Sequence, residues 1–351
     1  MTEMQASNAT LPAPPPVPTE PLVSYDHALN GTGKPWRGIL AIITFVVAFL
    51  ILSLIFGGIA IAIDLLTGTI ELSSLESGVL SMTPMVMLFN NLSLAALIPL
   101  SMLLQRLFFG VRVGTLSSLT GRCRWRWFGR LALVIVPVWL VYVGLSYLLE
   151  PTAGIRFDGS IIAMLVIVLL TTPLQSAGEE FGARGLIQRS AGSWFRNQWA
   201  AFTVGTIVSA TLFSIAHFAA DVWLIAYYLV FAASASLAAR GTGGLEAPVL
   251  VHIVNNVLLL VPVALSGEMD KSFDRSEGAG GPFMLIPMAL CLGAAAFSIW
   301  WGRRYGLVTR APRPLKVRDE RPHFPPPTTP PLTAPPINIP APSPTPPPTS
   351  S

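Results

Sequence analysis

Eight apolar stretches of this chain hold no Asp, Glu, Lys or Arg over 18 residues or more: 38–63, 79–105, 131–149, 159–178, 197–220, 222–239, 247–267 and 278–302. About 20 helical residues cross a hydrocarbon core roughly 30 Å thick, so each stretch is long enough to span. Lipid offers a backbone amide no partner, and a span must satisfy its hydrogen bonds within itself. The expectation is an all-α fold, a polytopic membrane helix bundle of about eight transmembrane helices. One boundary is thin: only Asp221 separates the fifth stretch from the sixth, and seven spans with a re-entrant segment is the alternative. Composition agrees, with 52% apolar and 11% charged residues, against roughly 45–50% and about 25% in a soluble domain. The two cysteines, Cys123 and Cys291, lie too far apart for a disulfide framework or a cysteine zinc site and read as free thiols.

The 22 basic residues comprise nineteen Arg and three Lys, and their placement orients the spans. Short cytoplasmic connections are enriched in Lys and Arg. Between the second and third spans lie Arg106, Arg112, Arg122, Arg124, Arg126 and Arg130 with no acid, whereas Asp64, Glu71 and Glu76 follow the first span with no base. Arg184, Arg189 and Arg196 follow the fourth span, and Arg303, Arg304, Arg310 and Arg313 the eighth. Both termini are therefore expected in the cytoplasm. A net charge of +4 gives no reason to expect nucleic acid, and Arg122, Arg124 and Arg126 with Trp125, Trp127 and Phe128 read as an interfacial anchor.

Six of the 32 prolines fall between Pro12 and Pro21 and sixteen between Pro312 and Pro348. Such segments lack the apolar content to offset chain entropy, so 1–36 and 305–351 are expected to be disordered Pro-rich cytoplasmic tails. The second reads as a solvated spacer rather than an SH3-like ligand. The polar, proline-rich start and the full length of the first apolar run speak against a cleavable signal peptide. No internal repeat supports an inverted-repeat transporter.

An ionisable side chain inside a span is costly, so each is a functional candidate. Glu179 and Glu180 follow the uncharged run of the fourth span directly, and Arg184 comes four residues after Glu180, close enough to pair with it on one helix. Phe213 and His217 are four apart, as are His252 and Asn256, with Asn255 beside them. Each pair shares a helix face. If the fourth span continues to a turn near Arg196, Glu179 lies about 17 residues before that turn and His217 about 20 after it, which puts them at one level. His252 comes about eight residues after the turn at 241–244 and joins them if the first hairpin protrudes. These placements predict a common site in the cytoplasmic half of the membrane. Each group also has a plainer reading: a helix end with a snorkelling arginine for Glu179, Glu180 and Arg184, and interhelical hydrogen bonding for the histidines and Asn256.

Taken together, in order and spacing, these segments resemble the CPBP intramembrane proteases, the CAAX protease and bacteriocin-processing group also called Abi or type II CAAX endopeptidases. That family's pattern is EExxxR, then FxxxH, then HxxxN. Here it stands as Glu179, Glu180 and Arg184; Phe213 and His217; His252 and Asn256. The resemblance covers about 159–261, and the approach GTGGLEAPVLVH to the last motif fits it too. Two positions depart from the pattern. Ala183 stands where an aromatic often precedes the arginine, and Glu246 where an apolar or aromatic residue is common.

The resemblance implies an endopeptidase acting in or beside the membrane on a peptide or membrane-protein substrate. Glu179 would be the base for water and His217 would position that water. His252 and Asn256 would donate to the oxyanion, with Glu180 and Arg184 in support. A water path from the cytosol is expected. Members are labelled metalloproteases, and Glu179, His217 and His252 would make an acceptable zinc set. The histidines come from different helices without HExxH spacing, and a metal-free glutamate mechanism is preferred. The eukaryotic branch trims prenylated CAAX proteins. The arginine-rich composition suggests a bacterial plasma-membrane protein with another substrate, in bacteriocin maturation or self-immunity. The organisation expected is a tail over 1–36, three helices over 37–158, a catalytic core over 159–267, a last helix over 268–304 and a tail over 305–351. The competing reading is a non-catalytic scaffold or a proton-coupled small-solute transporter. Oligomeric state is not legible in the sequence.

Overall fold

The computed structural model describes residues 21–76, 81–149 and 154–314. Eight helices in it are long and apolar enough to cross a membrane: α1 Pro35–Leu66, α2 Pro84–Phe109, α3 Trp125–Leu149, α4 Gly159–Gly192, α5 Gln198–Ile215, α6 Val222–Thr242, α7 Glu246–Ser266 and α8 Pro282–Arg304. Each coincides with one stretch read from the sequence, and the fifth and sixth are separate helices. The ends differ because a helix does not stop at its first charge. Thus α3 takes in Arg126 and Arg130, and α4 continues through Glu179, Glu180, Arg184 and Arg189. No strand occurs among the described residues, only the isolated bridges Val23 with Ala311 and Ser118 with Gly244.

Side-chain caps set several helix starts, each supplying an acceptor to amides that have no intrahelical partner. Asp158 accepts from the Ile161 amide at 2.9 Å, Asn197 from Trp199 at 2.8 Å and Asp221 from Trp223 at 2.8 Å. Asp221, the thin boundary of the sequence, is therefore a helix cap. Gly243 and Gly267 end α6 and α7 at φ of 75° and 73°, a left-handed conformation that only glycine adopts without strain.

The helix α4 forms the middle of the bundle, with α2 and α7 along its first part and α5 antiparallel to its last part. Helix α6 packs on α5, α7 and α8, while α3 lies on α7 and α1 on α2. Accordingly, half of the most apolar window of α6 is buried by protein (50%) but only 11% of that of α1, which leaves α1 to lipid. The α2–α4 contact is close because Gly178 lies on the backbone of Leu94 and Ala95, where any side chain would collide. Within α4, residues Phe181–Ile187 form a π-helical turn. That wider turn lies between the paired glutamates and the end of the helix, and it rotates the last part of α4 relative to an ideal α-helix.

Two expectations need correction. First, the tails are not loose throughout. The Pro-rich runs fall almost wholly within 1–20 and 315–351, outside the described residues, but 23–30 are buried and pack against the arginine-rich ends of the helices. Tyr25 donates to the Leu116 carbonyl, Asp26 pairs with Arg240 at 2.6 Å, and Asn30 bonds the Phe195 carbonyl at 2.7 Å. Val23 exchanges backbone hydrogen bonds with Ala311 from beyond α8. A short segment can order in this way when its backbone groups find partners and a few side chains, here Tyr25, Ala28 and Leu29, fill a gap; average composition does not register it. Burial pushes the Tyr25 phenol well above its ordinary range, with the Arg189 guanidinium opposing, and burial likewise raises the Asp26 carboxyl against the pull of Arg240.

Second, the cluster at 122–128 is only partly an anchor to lipid. Trp125 is exposed, but Trp127 is buried against Trp301 and Tyr305 with ring centroids 5.5 and 5.6 Å away. Arg124 forks onto Glu246, with Nε donating to Oε1 at 2.8 Å and Nη2 to Oε2 at 2.6 Å. It also donates to the Thr242 carbonyl at 2.8 Å. This accounts for Glu246, one of the two departures from the family pattern: it ties the α6–α7 turn to the start of α3.

Candidate active site

Adjacent residues on a helix point about 100° apart, and the bundle gives the two glutamates unlike surroundings. Glu180 faces the interior and is fully buried. Its Oε1 accepts from Arg184 Nη1 at 3.0 Å and from His252 Nδ1 at 2.8 Å, which joins α4 to α7. Arg184 is also fully buried, with its guanidinium 4.4 Å from the Phe213 ring centroid and 5.8 Å from that of Phe231. The phenylalanine of the second motif thus supports the arginine of the first. Ser209 on α5 donates to the Ala183 carbonyl at 2.9 Å, in the turn where that side chain is small.

Glu179 points the other way and keeps some exposure (13%). Its Oε1 accepts from Gln175 Nε2, one turn earlier on α4. Among the described residues no donor reaches its Oε2 within hydrogen-bonding distance, although His252 Nε2 stands 3.6 Å away. On the far side, His217 follows the end of α5, its Nδ1 bonded to the Phe213 carbonyl at 2.7 Å. A carbonyl only accepts, so Nδ1 carries the proton and Nε2 of the neutral ring is an acceptor. Phe218, next in sequence, has φ of 51°, uncommon for a bulky residue, and turns the chain sharply away from the site.

The structure brings the residues singled out in the sequence, Glu179, Glu180, Arg184, His217, His252 and Asn256, into one region. Asn256 lies beside Gln175, its Nδ2 directed at Gln175 Oε1 and Ser176 Oγ at 3.3 and 3.4 Å. Sequence reasoning passes over Tyr228, whose ring centroid is 4.0 Å from that of His217. It also passes over Gln175, which helical spacing alone would have placed on the face of Glu179.

The depth of the site differs from expectation. His252 lies six residues into α7, about 9 Å from the arginine-rich turn. His217, by contrast, borders the opposite connections: the Ala220 amide donates to the Arg275 carbonyl at 2.8 Å, and the Arg275 guanidinium is 6.0 Å from the Tyr228 ring centroid. The site thus reaches across the middle of the bundle and is not confined to the arginine-rich half.

Among the described residues no three of His, Cys, Asp and Glu stand together as a metal-binding group. The candidate zinc set has one donor of each member committed elsewhere: Glu179 Oε1 to Gln175, His217 Nδ1 to Phe213, and His252 Nδ1 to Glu180. These bonds leave Glu179 Oε2, His217 Nε2 and His252 Nε2, the atoms a metal would take, so it is the lack of a grouping among the described residues, and not these bonds, that speaks against a zinc set.

Residues 159–258 match the family described as type II CAAX prenyl endopeptidase Rce1-like. The matched segment holds every motif residue and leaves α1, α2, α3 and α8 outside it. No curated protein and no solved structure matches the chain.

Proposed function

We propose, from the match of residues 159–258 to the Rce1-like family, that the protein is an intramembrane endopeptidase in which Glu179 activates water against a peptide bond of a membrane-associated peptide or protein. The observation that carries the reading is the contrast between neighbours: Glu180 is neutralised by Arg184 and His252, while Glu179 keeps one carboxylate oxygen without a hydrogen-bond partner, 3.6 Å from His252 Nε2. A base needs a lone pair that the protein has not already used.

A water between Glu179 Oε2 and His217 Nε2 donates one hydrogen to each, so its own lone pair faces the scissile carbonyl. As the oxygen–carbon bond forms, the water proton moves to Glu179. Collapse of the tetrahedral intermediate breaks the carbon–nitrogen bond, and Glu179 returns that proton to the leaving amine. His252, its Nδ1 held by Glu180, and Asn256 would stabilise the oxyanion. Glu180 and Arg184 hold His252 in place. These steps need no metal, and a bacterial plasma-membrane setting with both termini cytoplasmic accords with the arginine distribution.

The test is cleavage of a fluorogenic membrane-anchored peptide by purified full-length protein. Glu179→Gln and His217→Ala are each expected to abolish turnover while the protein stays folded in detergent. Full activity in either variant refutes the assignment. Activity that survives complete metal removal with phenanthroline supports the metal-free route, and loss restored by zinc overturns it. Solute movement in liposomes without cleavage would favour the transporter reading.

A further inference from the structure

A continuous line of hydrogen bonds runs from α3, outside the family match, to the free carboxylate. Trp139 Nε1 donates to Asn255 Oδ1 at 3.3 Å, and Asn255 Nδ2 to Asn256 Oδ1 at 3.2 Å. Asn256 Nδ2 then donates to Gln175 Oε1 at 3.3 Å, and Gln175 Nε2 to Glu179 Oε1. Both ends set its direction, because an indole N–H can only donate and an ionised carboxylate can only accept. Every amide between them must therefore present its oxygen toward Trp139 and its nitrogen toward Glu179. A side branch agrees: Ser176 Oγ donates to the same Gln175 oxygen at 3.1 Å. Trp139, Gln175 and Asn255 are buried, so the line is shielded from competing water. Donors aligned in series in a low-dielectric interior polarise one another.

We infer that Gln175 is a positioning residue for the proposed hydrolysis, and that it delivers to Glu179 an orientation set by Trp139 through Asn255 and Asn256. With Oε1 of the carboxylate held by Gln175, the torsion of Glu179 is fixed and Oε2 is the oxygen left for water. The role rests on the reading of Glu179 as the base. It also gives α3 a part in catalysis that its sequence does not advertise, and it makes Asn256 a member of the base's support as well as a neighbour of the oxyanion.

The experiment compares kcat and KM for Gln175→Leu, Gln175→Met, Trp139→Phe and the double variant Trp139→Phe/Gln175→Leu, alongside Glu179→Gln, in the full-length protein. Misplacing a reacting group by about 1 Å costs up to about a hundredfold in rate. Gln175→Leu is therefore expected to lower kcat by about tenfold to a hundredfold with KM within about twofold. Trp139→Phe keeps an aromatic ring and loses only the donor, so a smaller fall is expected. The double variant should be no slower than Gln175→Leu alone, because a line already cut at Gln175 carries nothing from Trp139. Should Gln175→Leu fail to fold, Gln175→Met decides the matter: it is close to glutamine in size and length but cannot donate to Glu179, and the same loss in kcat is expected. Unchanged kcat in the folded Gln175 variants, a rise in KM alone, or multiplicative effects in the double variant overturns the inference. If Glu179→Gln is inactive and the Gln175 variants are normal, only the relay is wrong; if Glu179→Gln is active, the proposed function itself falls.

Discussion

Replacing Arg184 with Met removes the one permanent cation beside Glu180. The carboxylate is fully buried, and its remaining partner is His252 Nδ1 at 2.8 Å. Breaking a buried ion pair by deleting one member costs about 3–5 kcal/mol, because the other charge remains out of water without compensation. Loss of the guanidinium from above Phe213 and Phe231 adds about 1 kcal/mol at a desolvated site. The expected loss is thus at least about 3 kcal/mol, with cleavage abolished because His252 must now serve Glu180 alone. Reversible unfolding in mixed micelles, followed by the fluorescence of the nine tryptophans, measures the free energy. The companion Glu180→Gln removes the charge that Arg184 answers, so Arg184→Met should cost less in that background than in the parent. If Arg184→Met unfolds within about 1 kcal/mol of the parent, or if its cost is the same in both backgrounds, then the neutralised pair does not hold α4 to α7.

Arg124→Ala should lower the unfolding midpoint but leave kcat per folded molecule intact, and Arg124→Lys should not restore stability, since an ammonium cannot reproduce the fork onto Glu246. Leu29→Asp buries a carboxylate among Ala41, Phe109 and Val111 and should destabilise by several kcal/mol; a silent substitution would show that 23–30 do not pack in solution. Burial pushes the Cys123 thiol up to about 11, with Glu246 adding to the shift and Arg124 opposing it. Since the thiolate is the reactive form, maleimide labelling in a Cys291→Ser background should quicken about tenfold per pH unit between pH 7 and 9, and levelling off below pH 9 would refute the shift. In right-side-out vesicles the same cysteine, on the arginine-rich side, should react with a charged maleimide only after permeabilisation, whereas Ser276→Cys on the opposite connection should react at once.

The spans are legible in the sequence because a membrane helix needs a long charge-free run, a feature that survives any detail of packing. The motif residues are legible because four-residue spacing places Glu180 with Arg184, Phe213 with His217 and His252 with Asn256 whatever surrounds them. Spacing cannot convey which of two adjacent carboxylates turns inward. That depends on the approach of α7, on Gly178 lying against Leu94 and on the π-helical turn after Glu180, each a relation between helices or a backbone departure with no periodic signature. The ordered segment at 23–30 escapes for a similar reason, being too short for composition to separate from the prolines before it. Gln175, Trp139 and Asn255 carry no formal charge, so a search for expensive ionisable groups does not stop at them.

The proposed division of labour between Glu179 and Glu180 would have its origin in this arrangement. A lone carboxylate buried in a helix bundle would be too costly to keep ionised, and one fully paired would have no oxygen left for water. The adjacent pair resolves the conflict by separating the two tasks. Glu180 accepts from both Arg184 and His252 and so pins the imidazole. Glu179 spends one oxygen on the neutral donor Gln175 and keeps the other beside His252. Exchanging the two roles would require α4 to rotate by about 100°, which Gly178 against α2 and Gly182 against Phe45 both prevent. Large side chains at either glycine should therefore impair cleavage although neither supplies a reacting group, and Gly178→Val losing activity while still inserting and folding would place the cause in the setting of α4 rather than in the chemistry.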